Sequence, residues 1–207
     1  MLKVWGRNTS SNVQKAMWAV GELGLENERF DIGGTFGKNR EPAYLNMNPN
    51  GLVPTLQDGD FILWESNAII RYLARNQGGG KLEGSTPKIN ALANQWMDWQ
   101  LSVLGPAITP AFWGLIRTPA EKRDLAAIAA SQSKTIEAMK ILDAQLGKTA
   151  FVAGGEFTIG DIPVGVMTYR FWLLVPERPE LPGLQRWYAG LQKRDAFRAA
   201  VESVPLT

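Results

Sequence analysis

The sequence contains no cysteine and no histidine. The first absence excludes disulfides, iron–sulfur clusters and thiolate zinc sites, and the second excludes imidazole ligation, so no metal site is expected. Together they remove every Ser-His-Asp or Cys-His nucleophile and any histidine acid–base step. Charge of one sign is also scarce. Lys and Arg total 22 against 20 Asp and Glu, a net charge of +2 without basic blocks, which argues against a nucleic-acid partner. The longest apolar stretch, Ile162 to Val175, falls short of the roughly 20 residues a bilayer requires and is interrupted by Thr168-Tyr169-Arg170. The opening MLKVWGRNTS has no signal-peptide hydrophobic region. The chain reads as a soluble, cytoplasmic protein with no membrane partner. Its chemistry must use hydroxyls, amides, carboxylates, Lys, Arg or backbone dipoles, or arrive with a bound cofactor.

The composition that remains is globular, 45% apolar and 20% charged over 207 residues, enough for one large or two small domains. Strand and helix patterns alternate through the first 77 residues. Leu2 to Trp5 alternates as a strand, and Val13, Ala16, Met17 and Val20 recur at helical spacing. Glu28 to Ile32 reads as a second strand and Pro42 to Met47 as a short helix. Leu52–Leu56 and Phe61–Trp64 flank the turn signal Asp58-Gly59-Asp60, and Ser66 to Arg75 follows as a helix. The expected order is β-α-β-α-β-β-α, with parallel strands first and an antiparallel hairpin last. Residues 78–86, rich in glycine, form the expected linker between domains at 1–77 and 87–207. The second domain reads as all-helical, with helices over Ile89–Trp99, Pro119–Leu146, the strongly apolar Thr158–Val175, Pro182–Gln192 and Ala196–Val201.

Several short motifs have both a structural and a chemical reading. Gly33 to Lys38 (GGTFGK) has the wrong glycine spacing for a phosphate loop. In Asn48-Pro49-Asn50-Gly51-Leu52-Val53-Pro54, Pro54 opens a strand to which it cannot donate. It is either an ordinary turn proline or a cis-proline that turns the Val53 backbone outward to pair with an extended peptide. Ser66, after Trp64-Glu65, either caps a helix or helps its N–H groups bind a carboxylate, with Glu65 taking a nearby ammonium. Asn8-Thr9-Ser10-Ser11-Asn12 precedes the first helix. Any of these residues can be its N-cap, and a cluster of hydroxyl and amide donors there also suits an anion, including a thiolate. Thr158-Ile159-Gly160-Asp161 fits a capping arrangement with no catalytic role. Trp113, following Phe112 and preceding a helix break at Thr118-Pro119, is a candidate ligand-facing aromatic.

Taken together, the N-terminal hydroxyl cluster, NPNGLVP, WESNAIIRYLA and FVAGGEFTIGDI, in this order, resemble the cytosolic glutathione transferases over nearly the whole chain. The resemblance implies an α/β thioredoxin-like N-terminal domain followed by an all-α C-terminal domain, in a homodimer serving detoxification. It makes Pro54 a cis-proline presenting the Val53 backbone to the cysteinyl part of glutathione. Glu65 and Ser66 become holders of the γ-glutamyl ammonium and carboxylate. Counting back from Glu22-Leu23-Gly24 places Ser10 on the catalytic serine of theta- and delta-like classes. In the nu-like bacterial class the same count places Ser10 on the threonine and Asn12 on the active-site asparagine. Ser11, between them, joins the candidate catalytic cluster.

The sequence also departs from parts of that family. Without cysteine, chemistry through a mixed disulfide on the enzyme is impossible, and no N-terminal tyrosine supports alpha-, mu- or pi-like assignments. The stretch Asn50-Gly51-Leu52 lacks the Lys, His or Gln with which many relatives bind the glycyl end. Lys38 and Arg40 are the nearby cationic candidates. The resulting expectation is an enzyme that activates a glutathione thiolate for attack on a small hydrophobic electrophile. Glutathione is its co-substrate, no other cofactor is needed, and Phe112, Trp113 and Tyr169 line the electrophile pocket. The alternatives are a glutathione-dependent disulfide reductase and a non-catalytic ligand carrier or adaptor with this fold.

Overall fold

The computed structural model describes residues Met1–Thr207, which fall into two compact units. The first comprises Met1–Glu83 and Asp195–Val204, and the second Gly84–Arg194 and Pro205–Thr207. The expected boundaries at 77 and 87 therefore move together to Glu83/Gly84. The expected helical domain over 87–207 also loses residues 195–204 to the first unit.

The first unit is built on four short strands, β1 (Leu2–Trp5), β2 (Asn27–Phe30), β3 (Thr55–Asp58) and β4 (Phe61–Trp64), in the order β2-β1-β3-β4. β1 pairs parallel to β2, with Leu2 opposite Asn27, and antiparallel to β3, with Val4 opposite Leu56. β3 and β4 form the antiparallel hairpin expected around Asp58-Gly59-Asp60. Strand β3 begins at Thr55 rather than Leu52, because the N–H-less Pro54 cannot join the ladder.

Helix α1 (Ser11–Leu23) crosses between β1 and β2, α2 (Pro42–Leu45) precedes β3, and α3 (Ser66–Tyr72) follows β4 before widening into a π turn over Leu73–Gln77. α1 stops at Gly24, whose left-handed conformation (φ 65°) lets its N–H return to Gly21 and Leu25 N–H to Val20.

α1 buries more than the single face its periodicity suggests. Val13, Ala16 and Val20 are buried as expected, and Trp18 and Ala19 are buried as well. The cause is the returning C-terminal segment, α9 (Asp195–Phe197) and its π-turn continuation Arg198–Glu202. Phe197 packs its ring on Trp18 at 4.7 Å, and Gly21 allows the close approach of Ala196. An apolar stripe read from one helix cannot reveal a second partner from the far end of the chain.

The second unit comprises α4 (Pro87–Trp99), α5 (Gly105–Phe112), α6 (Leu125–Leu146), α7 (Asp161–Leu174) and α8 (Pro182–Leu191). α4 and α5 each run on into a π turn, at Gln100–Leu104 and Trp113–Arg117, so the expected disturbance around Pro106 and Pro110 appears as widened turns flanking α5. α6 begins at Leu125 rather than Pro119, because the Asp124 carboxylate accepts from Ala127 N–H and fixes the start there.

α7 is buried nearly all round, as its composition suggests. Its first residue, Asp161, is wholly buried and accepts four hydrogen bonds. They come from the Val152 N–H (3.1 Å), the Thr158 N–H (2.9 Å), the Thr158 hydroxyl (3.3 Å) and the Trp187 indole (2.9 Å). The Gly160 N–H in turn donates to the Thr158 hydroxyl at 3.3 Å, so the segment does form the reciprocal capping arrangement.

Burial raises the Asp161 carboxyl to about 6, against these four donors, which pull it down. The native state thus holds a proton that the unfolded chain releases, and stability falls as pH rises from about 4 to about 6. The loss amounts to roughly 3 kcal/mol at 1.36 kcal/mol per unit. Asp161→Asn removes this titration. Urea unfolding across that range should show the parent losing stability relative to the variant between about pH 4 and 6, with a constant difference above. Parallel profiles would contradict it.

Candidate active site

The first unit brings most of the sequence-predicted polar residues to the ends of its strands. Ser10 occupies the N-cap position of α1 in extended conformation, and its carbonyl accepts from the Gln14 N–H at 2.9 Å. Its hydroxyl makes no capping bond. The first-turn N–H groups of α1 are therefore not closed off by the Ser10 side chain, and the positive end of the helix dipole stays open.

Ser11 is half-buried in that first turn, and Asn12 is exposed. The Asn12 carboxamide oxygen nevertheless turns inward, where it accepts from Lys15 Nζ at 3.0 Å and from the Ser66 hydroxyl at 3.3 Å. Ser66 begins α3 but does not cap it; its hydroxyl joins two elements 54 residues apart. Ser10 thus holds the N-cap position through its main chain alone, and the Ser66 hydroxyl bonds Asn12 instead of capping α3.

The Val53–Pro54 peptide bond is cis. The preceding Leu52 carbonyl is held by Tyr44 Oη at 2.7 Å and Asn48 Nδ2 at 2.8 Å. The Thr55 hydroxyl completes the cluster, donating to Tyr44 Oη at 2.9 Å and accepting from Asn48 Nδ2 at 3.3 Å. Burial pushes the Tyr44 phenol up, so it stays a donor at neutral pH. Gly6 (φ 152°) lies where a Cβ would run into Val13 and Val53, so only glycine lets α1 and this segment approach so closely. Neither the Val53 N–H nor its carbonyl takes a backbone partner.

Glu65 lies at the strand-to-helix junction with φ 73° and ψ 111°, a region that side-chain-bearing residues rarely occupy. Its carboxylate is exposed. Arg40 reaches the turn before Val53, donating from Nη1 to the Asn50 carbonyl at 3.2 Å, and Asn39 donates to the Gly51 carbonyl at 2.8 Å. Lys38, also at positive φ, is exposed on the same loop.

In the second unit Phe112 and Trp113 meet edge to face at 6.2 Å, and Trp113 is 58% exposed, so it is not a core residue. The Phe112 ring also carries two guanidiniums, Arg170 at 4.5 Å and Arg117 at 5.7 Å. Tyr169, beside Arg170 on α7, is half-buried.

A cavity of about 330 Å³ opens elsewhere, against Gln14, Met17 and Gly21 of α1 and Ala196, Ala199 and Ala200 of the C-terminal return. It lies on a different face of α1 from Asn12 and Lys15. None of Ser10, Ser11, Asn12, Val53, Pro54, Glu65 or Ser66 lines it.

The family models "Glutathione S-transferase, N-terminal domain" and "Glutathione S-transferase, C-terminal domain" match residues 1–75 and 126–190. Glutathione S-transferase GstB of Escherichia coli K12 is 43% identical over 97% of this chain and 98% of its own length. The chain belongs to the glutathione S-transferase family. Among solved structures, a theta class transferase from Xanthomonas axonopodis pv. citri with glutathione bound superposes with a TM-score of 0.95 at 46% identity, covering 100% of this chain and 99% of that one. Glutathione S-transferase 3 of Zea mays is 28% identical over 99% of this chain and 95% of its own. The thioredoxin-like sheet followed by helices is thus the fold of this transferase family, as the motif order implied.

Sequence reasoning missed two features beside these candidate residues. Lys15, in an otherwise apolar stretch of α1, is completely buried. Its spacing of three from Asn12 was a usable signal, since such residues share a helix face. The bracing of the Leu52 carbonyl by Tyr44 and Asn48 had no periodic signature.

The conformation of Glu65 generates a test of strain. Glu65→Gly removes the side chain that disfavours φ 73°, a conformation costing about 1–3 kcal/mol, and adds the smaller unfolded-state cost of glycine. The variant should be more stable by about 1 kcal/mol in urea unfolding. A destabilised variant would mean that the glutamate side chain stabilises the junction.

Proposed function

We propose that this transferase binds glutathione along the Val53–Pro54 and Glu65–Ser66 edge of the first unit and activates its thiol as a hydrogen-bonded thiolate. The observation that carries the reading is the N-terminus of α1, where the Ser10 hydroxyl makes no capping bond and the helix end remains open. The unpaired Val53 N–H and carbonyl suit an antiparallel pair with the cysteinyl residue. Glu65 takes the γ-glutamyl ammonium, Ser66 and the α3 N–H groups its carboxylate, and Arg40, with Lys38 nearby, the glycyl carboxylate.

A free thiol ionises near 8.5, so lowering it by one to two units requires about 1.4–2.7 kcal/mol of differential stabilisation. One hydroxyl or amide donor to a charged sulfur, together with a helix N-terminus, is of that size, and no general base is needed. The thiolate then attacks a hydrophobic electrophile held against Phe112, Trp113 and Tyr169. The homodimer uses the exposed apolar residues of α4 and its continuation, Leu92 and Leu101 among them, in the cytoplasm.

A second reading is supported by the orientation of Asn12. With its oxygen turned inward, its amide N–H groups are the outward ones, which suits the nu-like asparagine of a glutathione-dependent disulfide reductase. All thiols then come from glutathione.

Titration of thiolate absorbance in the glutathione complex ranks the two donors. Ser10→Ala should raise the apparent thiol pKa and lower kcat at least about tenfold, or about 1.4 kcal/mol. Asn12→Ala should weigh more on disulfide reduction. If Ser10→Ala titrates like the parent while Asn12→Ala does not, Asn12 is the principal donor. A third variant addresses the second substrate. Trp113→Ala should alter KM for aryl electrophiles and leave glutathione affinity within about a factor of three. Unchanged kinetics across several electrophiles would remove Trp113 from the pocket.

A further inference from the structure

Lys15 is among the largest fully buried side chains in the protein, at 0% exposure, and it carries an ammonium. Burying such a group is costly unless its donors are met, so where it points is informative. One donor goes to Asn12 Oδ1 at 3.0 Å. An ammonium has three donors and no acceptor. The Asn12 atom facing it must therefore be the carboxamide oxygen, and the amide cannot be flipped without setting donor against donor. The Asn12 nitrogen is consequently the outer atom of an exposed side chain, two residues beyond Ser10.

Ser66 also donates to the same oxygen, at the longer distance of 3.3 Å. A serine hydroxyl has only one proton. If that proton turns to the γ-glutamyl carboxylate, as the proposed glutathione pose requires, Asn12 loses its second inner donor. Lys15 then becomes its lasting restraint.

We infer that Lys15 is a positioning residue for the thiol chemistry, holding the Asn12 carboxamide with its N–H groups outward for the glutathione sulfur before and after Ser66 is drawn to the ligand. The inference rests on the proposed glutathione site and adds a residue that touches neither substrate. It also gives Asn12 a fixed dipole rather than a rotor, so the donor is oriented before the anion forms, which is where preorganised hydrogen bonds gain their advantage.

The test is a double-mutant cycle read by thiolate absorbance of bound glutathione in the full-length protein. Lys15→Met keeps length and removes the donor, and Lys15→Gln keeps a neutral donor. Lys15→Met should raise the apparent thiol pKa by about 0.5–1 unit, Lys15→Gln should restore part of it, and Lys15→Met should add nothing in an Asn12→Ala background. A parent-like titration in Lys15→Met, or equal shifts from it in both backgrounds, would overturn the inference, since a general packing defect does not depend on Asn12.

Should neither Lys15 variant fold, a high-resolution structure of the parent with glutathione bound decides the matter. Lys15 Nζ still on Asn12 Oδ1, with Asn12 Nδ2 nearest the sulfur, supports the role; a carboxamide turned away from Lys15 refutes it. Failure of the underlying site has a different signature. In that case the parent itself would bind no glutathione or leave its thiol pKa near the free value of about 8.5.

Discussion

The start of α1 sets the geometry of the candidate site. An α-helix leaves its first N–H groups without intrahelical partners, and most helices close that end with a side-chain oxygen. Here Ser10 provides the cap position with its main chain alone. Its hydroxyl leaves the first-turn N–H groups unbonded by it, and Val13 of that turn and Val53 both crowd against Gly6. Gly6 makes that proximity possible, because any side chain there would push the Val53 segment away from α1. The bracing of the Leu52 carbonyl by Tyr44 and Asn48 holds the other side of the same gap. The polar residues of the site are therefore held by short-range contacts within one unit.

The polar interior near this helix end has the form expected of a working site rather than of a minimal core. Lys15 and Ser66 are buried polar side chains that converge on one exposed asparagine. Apolar replacements of similar volume would often serve stability as well or better. A directional network specifies which atoms face outward, something that an apolar contact cannot do. Glu65 shows the same preference from the backbone side, since its unfavourable torsions persist at a junction where glycine would be less strained.

Much of this was legible in the sequence because it is local or strongly patterned. The β-α-β-α-β-β-α order followed from alternation and turn residues, the hairpin at Asp58-Gly59-Asp60 from its composition, and the buried character of α7 from its unbroken apolar content. The candidate site residues came from short motifs whose meaning depended on their order along the chain. The missing pieces are non-local. The Ser66–Asn12 bond spans 54 residues, and the cover on Trp18 comes from Phe197. Neither leaves a periodic trace. Pro54 displaced the start of β3 by a rule visible in advance, whereas the start of α6 depended on whether Asp124 turned its carboxylate to Ala127.

The return of residues 195–204 to the first unit has a consequence for synthesis on the ribosome. Residues 1–83 emerge first, yet the side of α1 that receives Phe197 and Ala196 has no permanent neighbour until residues 84–194 have been made and the last segment follows. At about 5–20 residues per second, that surface of Trp18 waits for several seconds beside a growing helical chain. Residues 195–204 thus complete, late in synthesis, a packing surface that α1 presents from the start.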